Sequence, residues 1–352
     1  SDVSPQYSRG FHIYNLSSYR MKLLSITGDG NFEGRPNDGD VLMPGVGFHD
    51  IEVQWRWLSN QNDTATYAIL GEDGRQIGTY KAHLRVTGGD GVPSWTNETT
   101  LGMAGGEGMN LTLLDAPGTV RDIPASQRQA QAATLKQLCA ENSSAKCSFT
   151  ATKREKITGP EHQVGNAFEN VSDLTGTYAI ARTDTVGVTN SVGVSVTAGT
   201  SLFNVVTVEL TAQYGREWSQ SEEFTHSVDV EVPPGWEVWL TDSAPLIRDT
   251  GDFTITLGNT TWHLRNVYFD SPDSNGNGKW RLHSKNNNGV QQQTITLPAV
   301  PASETDHHRL MHRRDRASKL LEKPCRRHLQ HFPLSTRSRE PVLSRRSGRA
   351  TV

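Results

Sequence analysis

The chain has 352 residues, 34% hydrophobic and 21% charged, with 32 glycines and a net charge of −3 at pH 7. No run of roughly 18 apolar residues occurs, which excludes a membrane-spanning helix, and abundant glycine with moderate charge points to a loop-rich, mainly β protein of two domains rather than a helical bundle. The near-neutral total hides an acidic body and a basic tail, because residues 303–352 hold 13 Lys and Arg against 5 Asp and Glu.

Residues 1–123 read as an N-terminal β-rich domain. FHIYNL, RMKLLSIT, IEVQWRWL, ATYAILG and AHLRV have strand composition, and GDGN, NDGD, GEDG and GGDG are turn signals between them. Short strands at this spacing predict a compact sandwich or sheet. Tyr7, Tyr14, Tyr19, Trp55, Trp57, Tyr67 and Trp95 supply core and surface aromatics, which on such a domain can stack on sugar or contact a receptor. Asp29, Asp38, Asp40, Asp73 and Asp90 sit beside glycines as turn formers rather than calcium ligands.

Residues 124–147 read as a connecting helix and a cysteine loop. PASQRQAQAATLKQLCA predicts a helix with Pro124 near its start, Ser126 as cap, and a thin stripe of Ala130, Ala133, Thr134, Leu138 and Cys139. Cys139 and Cys147 flank a short loop and form a disulfide in an oxidising compartment, the alternative being two free thiols. Cys325 is left over. The start at Ser1 without Met or apolar leader fits a secreted, processed form. Seven Asn-x-Ser/Thr sites, at Asn15, Asn62, Asn97, Asn110, Asn142, Asn170 and Asn259, are expected on exposed polar turns.

Residues 148–302 return to strands, and longer ones: Ser148–Ile157, Leu174–Asp184, Glu217–Val232, WEVWLTD after Pro233-Pro234-Gly235, Asp252–Leu257, Thr261–Phe269 and Lys279–His283. At their centre, residues 184–218 alternate. Val186, Val188, Val192, Val194, Val196 and Ala198 share one parity with Val206, Val208, Leu210 and Ala212. The other parity holds Ser195, Thr197, Thr207, Glu209, Thr211 and Gln213. Strict alternation predicts two strands around a tip that carries Leu202 and Phe203, with Ala198 opposite Val206. One face would be oily and the other would lack any large apolar side chain, which suits a wall between water and lipid, the alternative and commoner meaning of such alternation being a half-buried hairpin of a soluble β-sandwich. In that register the unbroken apolar band, Val192 to Ala198, rises roughly 18 Å, short of the ~25 Å of an outer-membrane barrel. Tyr214 and Trp218 would sit at the entry interface.

No catalytic constellation is present: the chain lacks a phosphate loop, His-Glu-x-x-His, Cys-x-x-Cys and Gly-x-Ser-x-Gly. The expectation is a protein that is not an enzyme and uses no cofactor or metal. Asp273-Ser-Asn275-Gly-Asn277-Gly278 begins like a calcium loop but has Ser284 where a bidentate Glu is required, so it reads as a tight turn. Residues 303–352 lose periodicity and read as a basic disordered tail without a nucleic-acid-reading module.

From Asp184 to Leu240, DTVGVTNSVGVSVTAG followed by VELTAQYGREWSQSEEFTHSVDVEVPPGWEVWL resembles the pore-forming module of aerolysin-like toxins, most nearly the branch of clostridial epsilon toxin and the mosquitocidal toxins. The shared features are an amphipathic hairpin between Ser/Thr-rich strands and a Val-Pro-Pro-Gly turn, and the likeness covers residues 148–300. It implies an elongated two-domain protein, secreted, that binds a target-cell membrane through an unknown glycan or protein receptor, forms a homo-oligomer there and inserts one hairpin per subunit. Residues 1–123 would bind the receptor. Val186, Val188, Val192, Val194, Val196, Ala198, Leu202, Phe203, Val206, Val208, Leu210 and Ala212 would face lipid, and Ser195, Thr197, Thr207, Glu209, Thr211 and Gln213 the lumen. Tyr214 and Trp218 would anchor at the interface. The competing expectation is a secreted carbohydrate- or receptor-binding, lectin-like protein without pore formation. No nucleic-acid partner is expected.

Overall fold

The computed structural model describes residues 6–215, 218–287 and 291–298. The basic tail therefore lies outside the described residues. The protein is mainly β. In chain order the first strands are β1 (Gln6–Leu16), β2 (Arg20–Gly28), β3 (Phe32–Gly34), β4 (Val41–Leu42), β5 (Phe48–Arg56), β6 (Gln61–Leu70), β7 (Gln76–Thr87), β8 (Val92–Thr99), β9 (Met103–Glu107), β10 (Asn110–Leu114) and β11 (Thr119–Ile123). Helix α1 (Arg128–Leu138) follows, then β12 (Lys146–Thr158), β13 (His162–Glu169), β14 (Gly176–Gly187) and β15 (Thr189–Asn190). After helix α2 (Ser201–Tyr214) come β16 (Ser221–Val232), β17 (Trp236–Ser243), β18 (Pro245–Leu257), β19 (Thr260–Pro272), β20 (Lys279–Asn286) and β21 (Gln292–Thr296).

The first ten strands form two five-stranded sheets, in orders β3-β5-β1-β10-β9 and β4-β2-β6-β7-β8. Alternation sends one set of side chains from each sheet inward. Phe11, Ile13, Ile51, Val53, Trp55 and Leu111 meet Met21, Leu23, Tyr67, Ile69, Tyr80 and Leu84 in a single core. This is a sandwich. Strand β5 stops at Arg56, two residues short of the expected IEVQWRWL run, and leaves Trp57 and Leu58 in the turn to β6.

The seam between the first unit and the rest lies before residue 123. Strand β11 pairs in parallel with β19, in the sheet β11-β19-β18-β12. A boundary drawn at 123 from the start of the helix missed this pairing, which joins residues far apart in the chain. Helix α1 packs on the same sheet, and its buried face is Gln131, Leu135 and Leu138; of the expected stripe Leu138 and Cys139 are buried, while Ala130, Ala133 and Thr134 are not. Gln131 sets that rotation: its Nε2 donates to the carbonyls of Ile123 (3.1 Å) and Arg265 (2.8 Å). Residue 127 occupies the cap position, without a side-chain cap bond, so Ser126 does not cap the helix. Cys139 and Cys147 are joined by a disulfide with Cα atoms 5.9 Å apart, tying the end of α1 to the start of β12.

A third region holds the sheet β13-β17-β20-β21 and a separate two-stranded ribbon, β14–β16. Ile180, Val228, Val230 and Val232 of the ribbon pack on Val164, Val238, Leu240, Trp280 and Leu282 of the sheet. A two-stranded ribbon is marginal alone, so this contact holds it folded.

Two of the seven glycosylation sequons are buried, not on exposed turns. Asn15 and Asn170 are each 1% exposed. Both close the same kind of corner. Asn15 Nδ2 donates to the carbonyls of Tyr19 and Leu42 while Ser17 donates to its Oδ1. Asn170 Nδ2 likewise donates to those of Leu174 and Val232, and Ser172 donates to its Oδ1. The serine that completes the sequon is the corner's second hydrogen-bonding residue. Asp273 also works as a turn former, its Oδ1 accepting from the N–H of Asn275 at 3.1 Å.

Candidate functional site

The site is the segment between the two ribbon strands. Strands β14 and β16 pair without a break from Gly176↔Val232 to Gly187↔Ser221. Even-numbered residues of both strands face the sheet beneath: Ile180, Asp184, His226, Val228, Val230 and Val232 are buried. Odd-numbered ones such as Thr177, Ala179, Thr183, Ser221, Glu223 and Thr225 face solvent. The ladder then stops, although the alternation in the sequence does not.

Beyond Gly187 the chain turns onto the β19 sheet. Thr189 and Asn190 pair with Asp270 and Phe269. The Asn190 side chain closes a tight corner, donating from Nδ2 to the Val194 carbonyl (2.6 Å) and accepting at Oδ1 from the N–H groups of Val192 and Val194. Ser191 is held by the Tyr268 carbonyl and by Arg128. Val194 is buried, Val188, Val192 and Val196 are partly buried against the same core, and Ala198 is exposed. Val186, still in β14, is half-buried, while Ser195 and Thr197 are exposed.

The second arm of the expected hairpin is a helix in this structure. α2 starts at Thr200, whose Oγ1 accepts from the Phe203 N–H, and ends at Gly215, a left-handed cap with φ 68° whose N–H donates to the Thr211 carbonyl. Leu202, Val206 and Leu210, one turn apart, are buried over Phe149, Phe253 and Phe269. Each contributes roughly 1.5–3 kcal/mol by burial. That packing face is what converts an alternating stretch into a helix. The expected pairing of Ala198 with Val206 therefore does not occur, and the two-faced division of residues 201–214 gives way to a helical one. Val208 and Ala212 are exposed, Phe203 is half-buried, and Thr211 and Gln213 are exposed.

Polar contacts pin the helix as well. Glu209 accepts from the Ala151 N–H at 3.2 Å, beside the bulge in the β12–β18 pairing between Ala151 and Lys153. Thr207 Oγ1 accepts from Trp218 Nε1 at 2.8 Å. Trp218 is buried, stacked on Phe203 and edge-on to Phe269. The Arg154 guanidinium lies 3.9 Å from the Tyr214 ring centroid and also forms a two-bond pair with buried Asp249. Here, then, Tyr214 and Trp218 are packing residues.

A buried acidic seam, which sequence reasoning missed, fastens the ribbon to the sheet beneath. Asp184 of β14 faces Asp242 of β17, and His162 Nε2 of β13 lies 2.8 Å from Asp184 Oδ1. Asp242 is fully buried and both its carboxylate oxygens, with Asp184 Oδ2, lack a hydrogen-bond donor. Two bare carboxylates have no donor between them, and a proton held on Asp242 would supply one. Burial first, and the neighbouring Asp184 next, push Asp242 up to about 7. The hydrogen bond to Asp184 raises His162. Residues 162, 184 and 242 come from three strands, so no spacing in the chain announces them.

Comparison with family models, with curated proteins and with solved structures gives no match for this chain.

Proposed function

We propose that this protein is a membrane-active pore former in which residues 188–220 leave the core and extend the β14–β16 ribbon into an inserting hairpin. The observation that carries this reading is the ribbon's register. Every rung from Gly176↔Val232 to Gly187↔Ser221 keeps one alignment. Continued outward, that alignment places Val194 opposite Tyr214, Val196 opposite Ala212, Ala198 opposite Leu210 and Leu202 opposite Val206. Phe203, Asn204 and Val205 become a three-residue tip. The face that packs inward in the ribbon runs on as the apolar face of the extension, with Thr200 on one wall and Arg216, opposite Val192, on the other as its polar residues.

This alignment differs from the one expected from the alternation alone, and it lengthens the band. Moving the tip outward adds residues up to Leu202 to each wall, so the face from Val194 to Leu202 rises roughly 23 Å at ~40° tilt, close to the ~25 Å of an outer-membrane barrel, with Arg216 at its interfacial end. The opposite face, with Ser195, Thr197, Thr207, Glu209, Thr211 and Gln213, would line water, and a ring of Glu209 would favour cations. Releasing α2 exposes Leu202, Val206 and Leu210, and lipid contact for the same side chains offsets that loss.

Paired cysteines test the register. Val196→Cys with Ala212→Cys is expected to cross-link on membranes and not before, whereas Val196→Cys with Val208→Cys, the pair expected from alternation alone, is not. Absence of both cross-links in membrane-bound protein overturns the proposal.

A further inference from the structure

Among the described residues several groups of large apolar side chains stand in water, Val171 and Leu174 beside the Asn170 corner among them, and one lies at one end of the sandwich. Trp57 is 60% exposed, Leu58 84%, Val92 57% and Tyr7 45%. They sit on or beside two neighbouring turns. Residues 57–60 join β5 to β6, and residues 88–91 join β7 to β8. The turns are fastened to each other: Gly88 N–H donates to Asn60 Oδ1 at 2.8 Å, and a side chain at Gly88 would strike the Ser59 backbone. Arg9 Nε donates to the Gly91 carbonyl at 3.0 Å, and Tyr7 stacks on Trp55, the residue at the base of the first turn.

Leu58 is the telling residue. Its φ is 69°, one of two positive values at a non-glycine residue among those described. Glycine or asparagine would take that conformation at little cost, but a leucine is strained there. Strain at a turn is ordinarily accepted where the side chain packs; this one is 84% exposed. The same turn holds Trp57 outward. Side chains that stand out from two turns suit a soft surface that yields to them better than a rigid cleft. Three arginines border the tips, Arg9, Arg56 and Arg85, against Asp90 in the second turn. Asp29 is set back on the next turn, where it accepts from the Asn62 N–H.

We infer that these tips, led by Trp57 and Leu58, dock the protein on the interfacial layer of an anionic lipid membrane. Tryptophan and tyrosine favour that layer, leucine enters the acyl boundary, and the guanidiniums meet lipid phosphates. The choice of a bilayer rests on the membrane-active reading above, but docking requires no refolding of α2.

The experiment is vesicle flotation at physiological salt, using phosphatidylcholine with and without phosphatidylserine, with trapped dye read in parallel. Wild type is expected to float with the anionic vesicles. Leu58→Gly, which relieves the backbone, and Trp57→Ser should each weaken partitioning on the order of tenfold while melting like wild type or above it. Arg56→Gln should narrow the preference for anionic lipid. Flotation of both tip variants equal to wild type overturns the inference, as does failure of wild type to float on any vesicle, which would leave a protein or glycan as the occupant. Wild type that floats without releasing dye, with no cross-link in the Val196→Cys/Ala212→Cys variant on the same vesicles, supports docking and counts against the pore. Dye release undiminished in the tip variants counts against docking alone.

Discussion

Gly187 and Ser221 form the last rung of the β14–β16 ladder. The chain between them leaves that ladder for a corner at Asn190, a buried valine segment and a capped helix. Under the proposed function, a ribbon that ends while its alternating pattern continues into both flanks has a second, extended fold open to that stretch. The caps, the aromatic floor under α2 and the acidic seam decide which one is populated.

Removing a cap weakens the helical state specifically. Thr200→Ala loses the hydroxyl that accepts from Phe203, at about 1 kcal/mol. Gly215→Ala meets open space but must hold φ 68°, at roughly 1–2 kcal/mol. Hydrogen exchange should accelerate across residues 201–214 in both variants, with the sandwich amides unchanged. Equal exchange in α2 would show that the caps do not govern its opening.

The two sides of α2 should respond differently. Leu210→Ala removes a side chain with no exposure and should cost about 2–4 kcal/mol of stability. Val208→Ala, at a position 69% exposed, should cost less than about 0.5 kcal/mol. Denaturant melts separate them. In the extended ribbon both positions share the apolar face, so the contrast should disappear in membrane-bound protein.

The acidic seam makes ribbon attachment weaken with rising pH. Asp242 has a folded value of about 7 against an ordinary 3.8, so the folded state holds its proton more tightly. That contribution is complete below 3.8 and is lost as pH climbs to about 7. His162 is also raised, so its contribution is complete below 6.5 and is lost as pH passes its folded value. Both act in one direction. The melting temperature should fall between pH 5.5 and 8.5, and Asp242→Asn, which keeps a donor toward Asp184 without titrating, should flatten that fall. An unchanged slope in the variant would remove Asp242 from the linkage.

The asparagine corners predict unequal sequons. In a eukaryotic secretory host, peptide mass spectrometry should find glycan at exposed Asn62, Asn110 or Asn142 and none at Asn15 or Asn170. Asn170→Asp strands the carbonyls of Leu174 and Val232 and should cost roughly 2–4 kcal/mol. The same change at Asn62 should be near neutral.

Most strands were readable because alternation is a local signal. FHIYNL, RMKLLSIT and the long runs after residue 148 lie within β1, β2, β12, β14 and β16 to within a few residues. Strands β8 to β11 were missed: β8, β9 and β11 are polar or glycine-rich and held by pairing, and β10, although Leu111 and Leu113 alternate inward, is only five residues long. The α1 helix was legible as a helix, but its buried face was not, because Gln131 is buried only through carbonyls supplied by Ile123 and Arg265.

The sequence by itself determined that residues 184–218 carry one oily and one polar parity. It could not determine their shape. Leu202, Val206 and Leu210 are four apart, and a spacing of four is a multiple of two as well as nearly one helical turn, so the same residues satisfy strand and helix alike. Thr200 and Gly215 could have signalled the helix ends. The tertiary structure made the choice by packing Leu202, Val206 and Leu210, as one helical face, into the same core as Phe149, Phe253 and Phe269. It also brought Asp184 to Asp242, because a contact between distant strands has no trace in local order.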